Sequence, residues 1–374
     1  MSDNKGLQAL EEQVLGKDLC TLCGACASLC PYLRPVQGKI AKMHDCNLVE
    51  GRCFDYCPRT EVDMDRLHKK VFGQGYQDIE LGPMKQILMA RATDSGVRAK
   101  AQTGGVVSAL MSFALREGII DAAVLTQRDS SHLPAGFVAG RPEDILNCAG
   151  SSYVAGPTLE ALNKGPLEGK KKIGLVGVPC QVLALGKMKD SNLETRTPID
   201  RVALIIGLFC TWALAYRPFL AHLRERLDGA EITKLDITPP PQRLLKAYTE
   251  TTTVDIPIDD IRSFIRPTCG VCMDMTSELS DLSVGTVEGV DGWNTVVVRT
   301  DRGENLFKRA LDAGVIESRP LPEENTQHLK TASVLKKQRA LKALKERGET
   351  ENGYLILSSE IIQRILSYPT EEGS

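Results

Sequence analysis

Between Cys20 and Pro31 the chain reads CTLCGACASLCP, a C-x2-C-x2-C-x3-C-P run. With this spacing a tight loop aims three thiolates at one 4Fe–4S cluster while the fourth points away to a second. Gly24 and Ala25 leave room for such a cluster and offer backbone N–H groups to its sulfurs. A second run, HDCNLVEGRCFDYCPRT, is degenerate and supplies Cys46, Cys53 and Cys57. Two assignments are open. Either Cys57 closes a set with Cys20, Cys23 and Cys26, which leaves Cys30, Cys46 and Cys53 one ligand short, or Cys30, Cys46, Cys53 and Cys57 form the complete set. The missing ligand is His44, Asp45, Asp55 or a distant cysteine, or it is absent, as in a three-iron cluster.

Five further cysteines lie downstream. Cys269 and Cys272, in PTCGVCMDM, are half of a four-ligand site. Cys180 in GVPCQ and Cys210 in GLFCTW each follow an apolar run, at the strand end where α/β sheets place their functional loops. Brought together, the four make a further thiolate site, and the count alone fits zinc as well as iron–sulfur. Cys148, in LNCAG, reads as an inert buried thiol.

The elements that must position these groups follow from periodicity. MKQILMARA, DAAVLTQ, KKIGLVG and RVALIIGLFC read as buried strands, with helices over Val106 to Glu117 and after GVPC. Strands alternating with helices argue a mixed α/β sheet. DLSVGTVEGVDGWNTVVVRTDRG reads as hairpin-like strands around Gly turns, and PPPQ at 239–242 as a loop. ASVLKKQRALKALKERGE is a charged helix, and SSEIIQRILSYP is a packing helix or a disordered tail. The first eighty residues, rich in Cys, Gly and Pro, suit a small domain held by metal more than by a large apolar core.

Composition bounds the rest. With 42% apolar and 25% charged residues the chain is of the globular class, and a net charge of −2 over 374 residues argues against nucleic acid. The start, MSDNKGLQALEEQ, lacks an apolar signal region, and no run of about eighteen apolar residues predicts a membrane span. Twelve cysteines without an export signal are expected in a reducing cytoplasm, where they bind metal. No G-x-S-x-G, H-E-x-x-H or G-x-G-x-x-G motif accompanies them.

The motifs QTGGVVSALMSFALREGIIDAAV, GVPCQ, GLFC and CGVCMD, followed by ELSDLSVGTVEGVDGWNTVVVRTDRG, resemble the coenzyme F420 hydrogenase/dehydrogenase beta-subunit family over residues of about 84 to 345. The resemblance implies that Cys180, Cys210, Cys269 and Cys272 hold a 4Fe–4S cluster beside a bound FAD. It also implies an organisation: a ferredoxin-like domain at 1–80, a flavin domain at 81–165 continuing with the further cluster over 166–345, and a helical tail at 346–374. Family members with an N-terminal ferredoxin-like extension exist, and this chain departs from the eight-cysteine form by one.

A flavin links a two-electron hydride carrier to one-electron clusters, so no catalytic nucleophile is needed. Its best binding candidate is QTGGVVSAL, where Thr103, Gly104, Gly105 and Val106 lead into a helix whose N-terminus favours a pyrophosphate. Ser151, Ser152 and Tyr153, with Asp291, Gly292 and Trp293, are further candidates. The leading reading is thus an oxidoreductase subunit with FAD and two or three 4Fe–4S clusters. It exchanges electrons between coenzyme F420 or NAD(P)H and a partner, namely a formate dehydrogenase, hydrogenase or heterodisulfide-reductase-like subunit, or ferredoxin. The alternatives are a reductase with its own organic substrate and a zinc-scaffold interaction protein.

Overall fold

Eight strands share one mixed sheet: β1 (Gln86–Ala92), β2 (Ala122–Arg128), β3 (Pro134–Ala139), β4 (Ile173–Gly177), β5 (Val202–Leu208), β6 (Leu282–Thr286), β7 (Asn294–Val298) and β8 (Ile316–Arg319). Their order is β8-β1-β7-β6-β5-β4-β2-β3. The central strands β6, β5, β4 and β2 are mutually parallel, and antiparallel pairs flank them on both sides. The sheet belongs to a computed structural model that describes residues 4–129, 131–238, 242–348 and 353–369. The prolines of the loop expected at 239–242 lie outside the described residues.

The mixed α/β architecture follows from apolar runs buried on both faces. In β2, Ala122 and Val124 face one core and Ala123 and Leu125 the other. On the second face lie helices α2 (Val106–Arg116) and α5 (Asp301–Asp312). The other face carries α3 (Pro179–Asp190), the N-terminal segment with α1 (Met64–Phe72), and part of the long α6 (Glu323–Glu346) with α7 (Ser359–Leu366). Helix α2 ends one residue short of the expected Glu117, which serves as its C-cap.

A third core, unannounced by the sequence, joins α4 (Tyr216–Arg226) to a three-stranded antiparallel sheet at 234–237, 244–248 and 253–257. Two segments nearly 300 residues apart in the sequence meet. Val62–Asp63 pairs in parallel with Leu355–Ile356, and the Val62 N–H donates to the Tyr354 carbonyl at 2.8 Å. SSEIIQRIL is therefore a packed helix, with Ile361 and Ile365 buried. Among the described residues no helix is long and apolar enough to cross a membrane.

Candidate functional site

The parallel strands, with β1 running alongside them in the same sense, deliver their carboxyl ends to one edge of the sheet. A cavity of about 1170 Å³ opens there. Its walls are the turn after β1 (Thr103, Gly105, Val106), the loop before α3 (Val178 to Gln181), the segment after β5 (Phe209, Cys210) and the β6–β7 loop (Glu288 to Gly292). Helix α6 closes one side through His328 and Lys336. Strand-end loops are where an open α/β sheet binds its ligands.

Cys180, Cys210, Cys269 and Cys272 all line this cavity. Cys180 sits in the first turn of α3, behind a Pro that pre-sets the helix start. Cys269 lies in a single helical turn, Pro267–Gly270, and Cys272 follows just beyond it, its N–H donating to the Cys269 carbonyl at 3.3 Å. The Ala213 N–H donates to Cys269 Sγ at 3.3 Å. Burial pushes the Cys180, Cys210 and Cys269 thiols up. At Cys272 burial also pushes upward, but Lys336 and Arg59 together hold the thiol below its ordinary value.

Both cations are themselves buried. Arg59 donates to the Thr268 hydroxyl and carbonyl and stacks 4.9 Å over the Tyr354 ring. Burial opposes its charge, while Tyr354, Cys272 and Cys180 sustain it. Lys336 donates to the Cys210 carbonyl at 2.6 Å.

Cys23 and Cys26 have Cys20 and Cys57 as electrostatic neighbours. Cys53 has Cys30 and Cys46. Cys57 is thus an electrostatic neighbour of Cys20, Cys23 and Cys26. Burial pushes Cys23 up to about 12, and Cys53 and Cys57 to about 11. Lys187, buried, donates to the Cys57 carbonyl at 2.8 Å and to the Thr60 hydroxyl. Arg266 donates to the Cys20 carbonyl at 2.7 Å and leaves its buried Nε without a partner. The sets are consecutive, since Cys180 neighbours Cys23 and Cys26 neighbours Cys53.

Among the described residues, no carboxylate lies within ion-pair distance of Arg59, Lys187, Arg266 or Lys336, although Asp55 and Glu61 help sustain the charge of Lys187 and Asp274 that of Lys336 from further away, and no three Cys, His, Asp or Glu side chains are placed to hold a single metal ion. Arg59, Lys187 and Lys336 are buried with no carboxylate in contact, which calls for a further source of negative charge. Four thiolates around an iron–sulfur cluster supply it, so donor set and surroundings fit that group.

The residues expected to hold a dinucleotide are only partly together. Thr103, Gly105, Val106, Ser151, Ser152, Tyr153, Asp291 and Gly292 line the cavity. Gly105 opens α2 in the left-handed region at φ 76° and carries no capping side chain. Asn294, which sequence reasoning passed over, pins this turn by accepting from the Val106 N–H and donating to the Thr103 hydroxyl and the Gly285 carbonyl. Gly104 lies behind the wall: a Cβ there would stand 2.7 Å from Asn294 Oδ1. Trp293 is a correction. Its neighbours Gly292 and Asn294 line the cavity but it does not, because its ring is clamped between Arg91 and Arg319 at 4.6 and 4.7 Å. Cys148, expected to be buried in the core, is half-buried and lines the cavity. A bare glycine-led helix start and a polar wall fit a dinucleotide phosphate.

Comparison with known proteins follows this geometry. Residues 87–163 match the N-terminal model, and residues 170–324 the C-terminal model, of the coenzyme F420 hydrogenase/dehydrogenase beta subunit. The coenzyme F420 hydrogenase subunit beta of Methanothermobacter thermautotrophicus is 31% identical over 72% of this chain and 97% of its own length. A second relative, from the F420H2 dehydrogenase of Methanosarcina mazei, is 30% identical over 83% of this chain and 87% of its own. A chain of the F420-reducing NiFe hydrogenase complex from Methanosarcina barkeri superposes with a TM-score of 0.67 at 31% identity, over 72% of this chain and 94% of that one. Fold and matches together define an oxidoreductase subunit of the electron-transfer class. The chain belongs to the coenzyme F420 hydrogenase/dehydrogenase beta-subunit family, and its cysteine-rich first 86 residues lie outside both family models.

Proposed function

We propose that this chain is a cytoplasmic FAD- and iron–sulfur-dependent subunit that passes electrons between a hydride carrier and a partner redox enzyme or ferredoxin. One observation carries the reading. A single cavity is walled on one side by a glycine-led helix start and on another by four thiols, from which further thiol sets lead away. Coenzyme F420, named in the relatives, is the carrier of first choice, with NAD(P)H in its place in an organism that lacks it.

FAD supplies the exchange between hydride and single electrons when bound. Thr103, Gly105 and Val106 would hold its pyrophosphate at the start of α2. Asn294 and the close-packed Gly104 fix that turn, and Ser151, Ser152, Tyr153, Asp291 and Gly292 line the space beside it. Cys180, Cys210, Cys269 and Cys272 would hold a 4Fe–4S cluster next to the flavin, and Cys20, Cys23, Cys26 and Cys57 a second within a ferredoxin-like segment over residues 1–80. Arg59, Lys187, Arg266 and Lys336 offset the thiolate charge and keep the clusters reducible.

The test is anaerobic purification followed by flavin and iron analysis, then reduction with reduced F420, NADH and NADPH in parallel. The expected result is stoichiometric FAD, bleached by one of the three. Cys269→Ser should remove the iron of one cluster and leave the N-terminal sets loaded. A preparation without flavin, or with no iron lost in that variant, refutes the reading.

A further inference from the structure

Cys30, Cys46 and Cys53 remain after the other sets are complete. Twelve cysteines divide into four around the cavity, four at Cys20, Cys23, Cys26 and Cys57, Cys148, and these three. Cys148 is no fourth ligand, because it lines the cavity and packs on the second core, whereas Cys46 and Cys53 pack on the first. The nearby candidates are committed elsewhere. Asp45 is 94% exposed and paired with Lys42 at 2.8 Å. His44 lies exposed, edge-on to the Tyr32 ring. Asp55 is an electrostatic partner of Lys187, the lysine that serves the Cys57 carbonyl.

The two cysteine runs explain what is missing. Both end in C-x3-C-P, so Cys53, Cys57 and Pro58 correspond to Cys26, Cys30 and Pro31. Three residues before Cys26 stands Cys23, and three before Cys53 stands Glu50. The backbone around Glu50 is held in place: it bridges to Lys5, whose N–H donates to the Val49 carbonyl at 2.7 Å and whose carbonyl accepts from the Gly51 N–H at 3.0 Å. The Glu50 side chain is exposed and makes no ion pair among the described residues. The position equivalent to Cys23 is thus present, ordered and served by no thiol.

We propose that Cys30, Cys46 and Cys53 form a three-thiolate site for a 3Fe–4S cluster, the corner at Glu50 being left without a ligand. The inference rests on the iron–sulfur reading above and concerns only this outer set. Its three thiols are half-buried, as are Cys20, Cys26 and Cys57, and they stand at the end of the series of sets that starts at the cavity. Flanking Cys46, Met43, Leu48 and Val49 are exposed by 53, 64 and 69%.

The test uses the full chain, loaded anaerobically, with iron analysis and EPR of the oxidised protein. The wild type should give the signal of an oxidised three-iron cluster in stoichiometric amount, and Cys46→Ser should abolish it. Glu50→Cys should abolish it too, while the chain binds one more iron atom. Glu50→Gln should leave signal and iron unchanged. A signal that persists in Glu50→Cys with unchanged iron belongs to a damaged four-iron cluster and overturns the assignment. Loss of iron in Glu50→Gln does so as well, because the carboxylate is then a ligand. No three-iron signal in a chain whose other sets are loaded overturns this inference alone, whereas a chain that takes up no iron overturns the reading beneath it.

Discussion

Replacing Lys336 by Met removes one positive charge from beside the cavity thiols and keeps most of the side-chain stem. Lys336 is 4% exposed, and its Nζ lies 2.6 Å from the Cys210 carbonyl oxygen. The bonds from that oxygen to the same residue's Sγ span about 4 Å, so the ammonium stands roughly 7 Å from the thiol. At an effective dielectric of about 20, a unit charge at that distance is worth about 2.4 kcal/mol. For a one-electron couple this is about 100 mV. Reduction adds negative charge, which the lysine favours, so its loss moves the potential downward. The assay is an anaerobic redox titration followed by EPR, with iron content checked and Lys336→Arg as the charge-retaining control. An unchanged or raised potential at this cluster, with iron retained, refutes the electrostatic role assigned to the lysine.

Two further outcomes concern the buried charges behind this wall. Lys337 and Glu278 are paired at 0 and 1% side-chain exposure, so Lys337→Met alone should cost about 3–5 kcal/mol by stranding the carboxylate, and adding Glu278→Gln should recover much of it in denaturant unfolding. A double variant less stable than the single one would refute this. His68 is held at about 4 by burial, with Arg299 and Lys337 adding to the effect. Between about 6.5 and 4 the unfolded chain binds a proton that the folded chain refuses, so acidification through that window should cost about 3 kcal/mol in all. Unfolding curves across the window should flatten in His68→Leu.

What could be read from the sequence was what punctuation and periodicity carry. Gly and Pro after apolar runs placed Cys180 and Cys210 at strand ends, and Gly104–Gly105 placed the start of α2. The glycine turns between β6 and β7 announced their antiparallel pairing. The buried cations were invisible, because KKQRALK has the composition of a solvated helix face, and only tertiary packing turns Lys336 and Lys337 inward. Trp293 went astray for a related reason: its ring is held by Arg91 and Arg319 from β1 and β8, a contact that spacing along the chain does not record. Arg59, Tyr354 and Thr268 meet across 86 to nearly 300 residues, a separation that no local pattern records.

The junction of Val62 with Tyr354 sets an order of assembly. A ribosome delivers Cys20 to Cys57 nearly 300 residues before Tyr354, and contacts between such distant segments form late. Until then Arg59 lacks the Tyr354 ring beneath it. The N-terminal thiols therefore wait for a segment nearly 300 residues downstream, and the strand beside Tyr354 acts as the clasp that shuts them in.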